Sequence, residues 1–426
     1  MTSASSWNLS LGLPAVAGMG EALAPAIAER LYGPAVLTTS VSRLEDFAAC
    51  PFKFFIAAGL RAGERQRFEA DARQLGSYQH EVLRRFHAAV REAGREWRDL
   101  TPDEARVQVG TIAAEVAREF GGGLLSADDG DLLTARGLTD ALQNFVSVLV
   151  NWMRTSYGLN PRAAELAFGF RDAALPAWEI ALDGRHKLAL VGKVDRVDLA
   201  PGPRPGEAWC VVHDYKSGTL AFDPTLFAQG IQMQLPVYLA AVVAGADARR
   251  EARGAGRQGT APPVEPEEKA QASALPVRLV PAGFFYVSLR GRLPGGEHRD
   301  EVLGASAEEG RSAYPHRGRF RADALPALDA EADRTPSGQF AFKRTKDCGL
   351  AARPADPLTA TKFGQLLADV EAKIRELGRA IFSGVAKVDP FQKGANLKAC
   401  DSCRFQAVCR IDPWSHRFRR LTAAGA

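Results

Sequence analysis

The chain has no run of 18 or more apolar residues, so no transmembrane helix is expected. Its longest candidate, FVSVLV at 145–150, is too short and stops at Asn151. The first residues lack a basic stretch followed by an apolar core, the pattern of a secretory signal. A cytoplasmic location is therefore expected. No G-x4-G-K-S/T phosphate loop occurs anywhere, which predicts no ATPase. Strong charge is missing too: a net charge of +4 permits a local basic groove without arguing for one. Cysteine is scarce, with six in 426 residues. In a reducing compartment, clustered thiols point to metal rather than disulfides.

What is present is an ordinary globular composition and enough length for a large core. The chain is organised around residues 187–218, KLALVGKVDRVDL, a Pro/Gly loop and CVVHDYKSG. Two β-branched runs flanking prolines predict a hairpin with a long loop. Residues i and i+2 of a strand share a face, so Asp214 and Lys216 point the same way. With Asp195 from the first run, they form a set that can bind a hard cation and act on a phosphodiester. Taken alone, D-x-K is more often a pair of strand-end charges, and Asp195, Asp198 and Asp214 can be read that way.

Before the hairpin, Ser42-Arg-Leu-Glu45 has the pattern of a capping box, and it runs into Cys50 and Pro51. Gly76-Ser77 predicts the start of a helix with Leu83, Phe86, Val90 and Trp97 as its apolar stripe. His80 lies near its start, and His87 reads as an ordinary helix histidine. Thr101-Pro102-Asp-Glu104 opens another helix, and a long one is expected at about 131–156. Residues 160–168 lead into a strand whose Glu165 is either structural or close to the site. After the hairpin, a helix over 225–244 puts Gln234 and Tyr238 on one face. Such a pair can hydrogen-bond a base or sugar, or cap a core. Residues 245–276 are low in complexity and read as a disordered insertion. Residues 277–291 look strand-like, 292–340 irregular, and 363–381 carry a helical stripe ended by Gly384.

Near the end, Cys400, Cys403 and Cys409 fall within ten residues. Cys50 is the best candidate for a fourth ligand, because Cys210 lies inside a strand and Cys348 in an irregular stretch. Spacing alone leaves zinc and an iron–sulfur cluster equally open.

Seven pieces, in order, carry a resemblance: SRLEDFAACPFKFF, LGSYQHEVLRRF, LNPRAAELAFGF, LVGKVDRVDL, VVHDYKSG, QMQLPVYLAA and CDSCRFQAVC. Together they resemble the AddB-type nuclease domain of bacterial helicase–nucleases, in the RecB-like branch of PD-(D/E)XK nucleases with an iron–sulfur cluster. The resemblance implies a metal site for Mg2+ (or Mn2+) at His80, Asp195, Asp214 and the Tyr215 carbonyl. It implies Lys216 as catalytic lysine, and Gln234 and Tyr238 as site-supporting, DNA-contacting residues. It also implies a [4Fe–4S] cluster on Cys50, Cys400, Cys403 and Cys409.

The expected fold is α/β, a central mixed sheet flanked by helices with the cysteine cluster clasping the two ends. The expected divisions are a linker at 1–39, a nuclease domain at 40–415 with the insertion at 245–276, and a tail at 416–426. The expected function is metal-dependent hydrolysis of DNA with single-stranded or unwound ends, in double-strand-break repair beside a helicase partner and away from membranes. The alternative is a DNA-end-binding or structural subunit with an inactive site. Basic residues in 61–73 and 404–420 either contact phosphate or form a solvated face.

Overall fold

The computed structural model describes residues 22–63, 71–218, 220–254, 278–291, 313–334, 336, 338–347, 349–412 and 417–422. Most of the expected insertion at 245–276 and Cys348 lie outside the described residues. Among the described residues no helix is long and apolar enough to cross a membrane.

The centre is an eight-stranded mixed sheet. Its spine is β4 (Lys187–Pro201), long enough to take different partners along its two halves. The first half pairs with β1 (Val36–Ser40) in parallel and β3 (Trp178–Ala181) antiparallel. The second half pairs antiparallel with β2 (Asn160–Phe168) and β5 (Glu207–Lys216). β4 and β5 are the predicted hairpin. Then follow β6 (Arg278–Ser288), parallel to β5, β7 (His316–Arg321), antiparallel to β6, and the short β8 (Pro357–Leu358).

Helices cover both faces, which is why the strands read as nearly continuous apolar runs. On β5, Cys210 and Val212 pack into one core while Trp209, Val211 and Tyr215 pack into the other, as a period of two requires. The first core is closed by α1 (Pro25–Tyr32), α2 (Val41–Ala49), the helix from Gln234 and the helix Ala360–Phe382. The second is closed by α3 (Ala72–Glu92), α4 (Pro102–Glu119) and α5 (Asp129–Thr155). The sequence stripe Leu83, Phe86, Val90 and Trp97 is buried there. The short α6 (Pro224–Ala228) precedes α7 (Gln234–Gly254), and α8 (Ala360–Phe382) ends before Gly384 at φ 83.

Four local expectations change. Regular structure begins upstream of residue 40: Ala28 and Tyr32 of α1 are buried, and β1 pairs with β4 at the sheet's edge. Arg419–Arg420 likewise pair with Phe391–Lys393, inside the expected tail. The Ser42–Glu45 capping box does not form. Ser40 caps α2 by accepting from the Arg43 N–H, which frees Glu45 for another partner. By contrast, the Thr101/Glu104 capping box is present as read. α3 starts at Ala72 rather than Gly76, because Asp71 accepts from the Gln74 N–H.

Candidate active site

β4 and β5 set the site. Their last registered pair on this side is Arg196 with His213. One step on, Asp195 and Asp214 stand across from each other. On the other side of β4, Ala164 pairs with Arg196 and Leu166 with Val194, which sets Glu165 opposite Asp195. Glu165 has φ 51, in the left-handed region that a non-glycine strand residue rarely adopts. α3 then brings in His80, whose Nδ1 lies 2.9 Å from Glu165 Oε1 and 3.4 Å from Asp195 Oδ1. These three residues have ligand atoms within 4.8 Å of one another.

The backbone takes part as well. The Tyr215 N–H donates to Asp195 Oδ2 at 2.6 Å, fixing that carboxylate against β5. Asp214 and Lys216 do share a face, and Lys216 Nζ stands 2.5 Å from Asp214 Oδ2. Lys216 also donates to Gln234 Oε1 at 3.2 Å, and Gln234 Nε2 donates to the Tyr238 hydroxyl at 3.3 Å. Every residue expected at the hydrolytic site from sequence is therefore gathered at one end of the sheet.

The electrostatics are those of a crowded acidic site. Burial, then the neighbouring Asp195 charge, pushes the Asp214 carboxyl up to about 7 against the pull of Lys216 and His80. Burial opposes a charged imidazole at His80, but Asp195 and Glu165 outweigh it and push His80 up to about 11. Asp214 Oδ2 is buried, with the Lys216 ammonium 2.5 Å away. Oxygen-rich donors gathered this closely, with ligand atoms of His80, Glu165 and Asp195 within 4.8 Å of one another, suit a hard divalent cation. A cleft of about 520 Å3 opens onto His80, Glu165, Tyr215 and Lys216, with Arg73, Arg84 and Lys193 on its walls.

Behind the cleft lies a different arrangement. Arg196, next to Asp195, points into the second core, where its Nε is 2.9 Å from Asp198 Oδ1. Arg196 Nη1 donates to the Tyr215 hydroxyl at 2.9 Å, and the Tyr157 hydroxyl donates to Asp198 Oδ2 at 2.8 Å. Asp198 is therefore a buried structural carboxylate. His87 is structural too, since its Nδ1 accepts from Trp97 Nε1 at 3.2 Å.

Cys50, Cys400, Cys403 and Cys409 line one small pocket with Phe52 and Phe405. All four are free thiols. Burial and the three neighbouring thiols push Cys400 up to about 11. The Phe52 N–H donates to the Lys387 carbonyl at 3.0 Å, tying the two distant segments together beside the pocket.

Two acidic residues exceed the sequence reading. Glu165, open in sequence between structure and site, stands in the cleft. Glu45 reads in sequence as half of a local cap, yet its Oε1 accepts from the Met233 and Gln234 N–H groups at 2.6 and 2.9 Å. Its place in the SRLEDFAACPFKFF piece is the available signal; spacing alone favours the nearer partner.

Comparison with known proteins agrees with this geometry. The sequence model of one family, described as the PD-(D/E)XK nuclease superfamily, matches residues 38–410. Similar curated proteins are named as B-type subunits of an ATP-dependent helicase/deoxyribonuclease. The one from Symbiobacterium thermophilum is 30% identical over 391 residues, covering 91% of this chain and 30% of that protein. The Moorella thermoacetica protein is 29% identical over 399 residues, covering 92% and 31%. The Desulforudis audaxviator protein is 31% identical over 420 residues, covering 95% and 32%. The chain spans about a third of the length of these relatives. A match over so much of the chain, running through a sheet that gathers its acids and lysine at one end, shows that this protein belongs to the PD-(D/E)XK nuclease superfamily.

Proposed function

We propose that this chain is a metal-dependent deoxyribonuclease that hydrolyses DNA phosphodiesters, acting on single-stranded or unwound ends. The observation that carries this reading is the meeting of His80, Asp195, Asp214 and Lys216 at one end of the sheet, beside a cleft that His80 and Lys216 line. His80, Asp195, Asp214 and the Tyr215 carbonyl would hold Mg2+ or Mn2+, with Glu165 beside them. Such a metal, when bound, supplies Lewis acidity at the phosphoryl oxygen and a deprotonated water. The Lys216 ammonium adds fixed positive charge where the phosphate gains negative charge in the transition state. Gln234 and Tyr238 orient that ammonium. Arg73, Arg84 and Lys193 suit the phosphates on either side. The relatives' name supports work beside a helicase, and the setting proposed for it is repair of broken DNA.

We also propose a [4Fe–4S] cluster on Cys50, Cys400, Cys403 and Cys409, as a structural clasp. Supporting it, the four thiols come from distant parts of the chain to line one small pocket, and none is paired in a disulfide.

The test uses anaerobically purified chain, end-labelled single-stranded DNA and Mg2+, with Asp214→Ala beside wild type. Cleavage by wild type alone is the expected result. DNA binding without cleavage by either would favour the inactive, DNA-end-binding reading. Equal cleavage by both would remove the β4–β5 hairpin from its role.

A further inference from the structure

α2 links two parts of the molecule that the sequence holds far apart. It is the helix that ends at Cys50, and its Glu45 reaches the first turn of α7, 188 residues further on. The first N–H groups of a helix have no partner within it. Here one carboxylate oxygen, Glu45 Oε1, accepts two of them, from Met233 at 2.6 Å and Gln234 at 2.9 Å. The residue so anchored is the one that touches the lysine. Gln234 Nε2 donates to the Tyr238 hydroxyl one turn on, which turns its Oε1 towards Lys216 Nζ, 3.2 Å away. Lys216 in turn stands against Asp214. An unbroken set of polar contacts therefore runs from α2 to the ammonium in the cleft. Glu45 also lies within the fields of Lys216 and Asp214, and burial pushes its carboxyl up to about 7 despite the two backbone donors.

We propose that Glu45 is a positioning residue of the nuclease centre: by anchoring the first turn of α7 it fixes Gln234, and through Gln234 it fixes where the Lys216 ammonium stands. This rests on the nuclease reading above. Glu45 touches neither substrate nor metal in this scheme. It removes freedom from Lys216, so its loss is felt in the rate of the bound complex rather than in DNA affinity.

The experiment measures single-turnover cleavage of end-labelled single-stranded DNA with Mg2+ across a DNA-concentration series. Wild type, Glu45→Ala, Glu45→Gln, Gln234→Ala, the Glu45→Ala/Gln234→Ala double variant and Lys216→Ala are compared. Amide hydrogen exchange over residues 229–238 is read in parallel. Glu45→Ala should lower the maximal rate about ten- to a hundredfold and leave the half-saturating DNA concentration within about threefold. Its Met233 and Gln234 amides should exchange faster. Glu45→Gln should retain most of the rate and the protection, because an amide oxygen can accept the same two N–H groups. The double variant should be no slower than Gln234→Ala alone, to within about twofold, because both changes cut one path.

The proposal is overturned if Glu45→Gln loses as much as Glu45→Ala, if the two single losses multiply, or if only DNA affinity changes. Should Glu45→Ala not fold, Glu45→Asp keeps the charge one methylene short of α7 and carries the same comparison. Lys216→Ala separates the levels. If it cleaves like wild type, the nuclease reading falls and takes this proposal with it. If it is dead while Glu45→Ala keeps the wild-type rate, only the role of Glu45 falls.

Discussion

The carboxylate cleft stands on long strands, whereas the cysteine pocket stands on short turns. At the cleft and just beneath it, Glu165, Asp195, Asp214 and Lys216 occupy neighbouring positions on three paired strands, and the Tyr215 N–H locks Asp195 across two of them. The pocket draws Cys50 from the end of α2 and its other thiols from a segment whose largest regular piece is the four-residue turn Gln406–Cys409. Its neighbouring strands, Phe391–Lys393, Leu397–Lys398 and Arg419–Arg420, are two or three residues long. Main-chain pairing preorganises the first site before any ligand arrives. In the second, short strands and turns supply little such pairing, and under the proposed cluster the remaining order would come from what joins the thiols. A catalytic site needs fixed charge at fixed places; a clasp needs only to close.

The sharpest way to break that comparison is Lys216→Ala. It removes the charge from a cleft whose frame is unaffected. Mg2+-dependent cleavage should fall by about a thousandfold or more, while the urea midpoint stays within error. A parallel loss of stability would show that Lys216 also holds the sheet together, against the division drawn here. Cys403→Ser is the converse. It should abolish the visible absorbance and iron of anaerobic protein and cost several kcal/mol of stability. Residues 388–412 should become sensitive to limited proteolysis, with cleavage reduced by no more than about tenfold. If cleavage falls as far as in Lys216→Ala, the cleft is not preorganised by its strands alone. Stoichiometric zinc in place of iron would rule out the cluster and leave the clasp.

The sequence made the cleft more legible than its surroundings, for a physical reason. Asp195, Asp214 and Lys216 sit within one hairpin, where register follows from local pattern and the period of two assigns faces. The same rule separates Asp195 from Asp198, but only structure shows that Asp198 is answered by Arg196 and Tyr157 in the core. Partnerships across long separations were illegible. Glu45 fits a local cap equally well, and nothing nearby reveals an acceptor role at residues 233 and 234. β1 escapes a reading by pattern because VLTTS is a short run that becomes a strand only where β4 receives it. Glu165 stays open because its direction depends on a backbone angle, and residue spacing carries no record of φ.

A smaller effect tests the helical side of the sheet, away from both sites. Burial, with Arg91 and Arg196 nearby, pushes His87 down to about 4, against an unfolded value near 6.5. Between those values the unfolded chain binds the proton and the folded chain does not, so stability rises with pH. The contribution is fully present above about pH 6.5. It is lost progressively as pH falls towards 4, by on the order of 3 kcal/mol. Urea midpoints between pH 7 and 4 should show that slope, and His87→Gln should flatten it while still accepting from Trp97. A slope unchanged in His87→Gln would assign the acid sensitivity elsewhere, with the buried His213 and His316 next in line.

The smallest effect asks what the cleft costs its own frame. Glu165 holds φ 51 in the middle of β2, a conformation that disfavours a side chain by about 1–2 kcal/mol. Glycine adopts that angle freely but adds about 0.5–1 kcal/mol of unfolded-state freedom. Glu165→Gly also removes a carboxylate from beside Asp195, at the expense of the contacts with His80 and Lys193. These terms nearly cancel. The urea midpoint should therefore stay level or rise slightly, where glycine in an ordinary strand interior lowers it. Cleavage should still fall, because His80 loses the carboxylate that holds its ring beside Asp195. Stability kept while activity drops would show that strain is stored at Glu165 to aim its carboxylate at His80 and Asp195. A loss of more than about 1 kcal/mol would mean that β2 needs this side chain for its own pairing. The backbone angle would then be a by-product of packing rather than a device of the site.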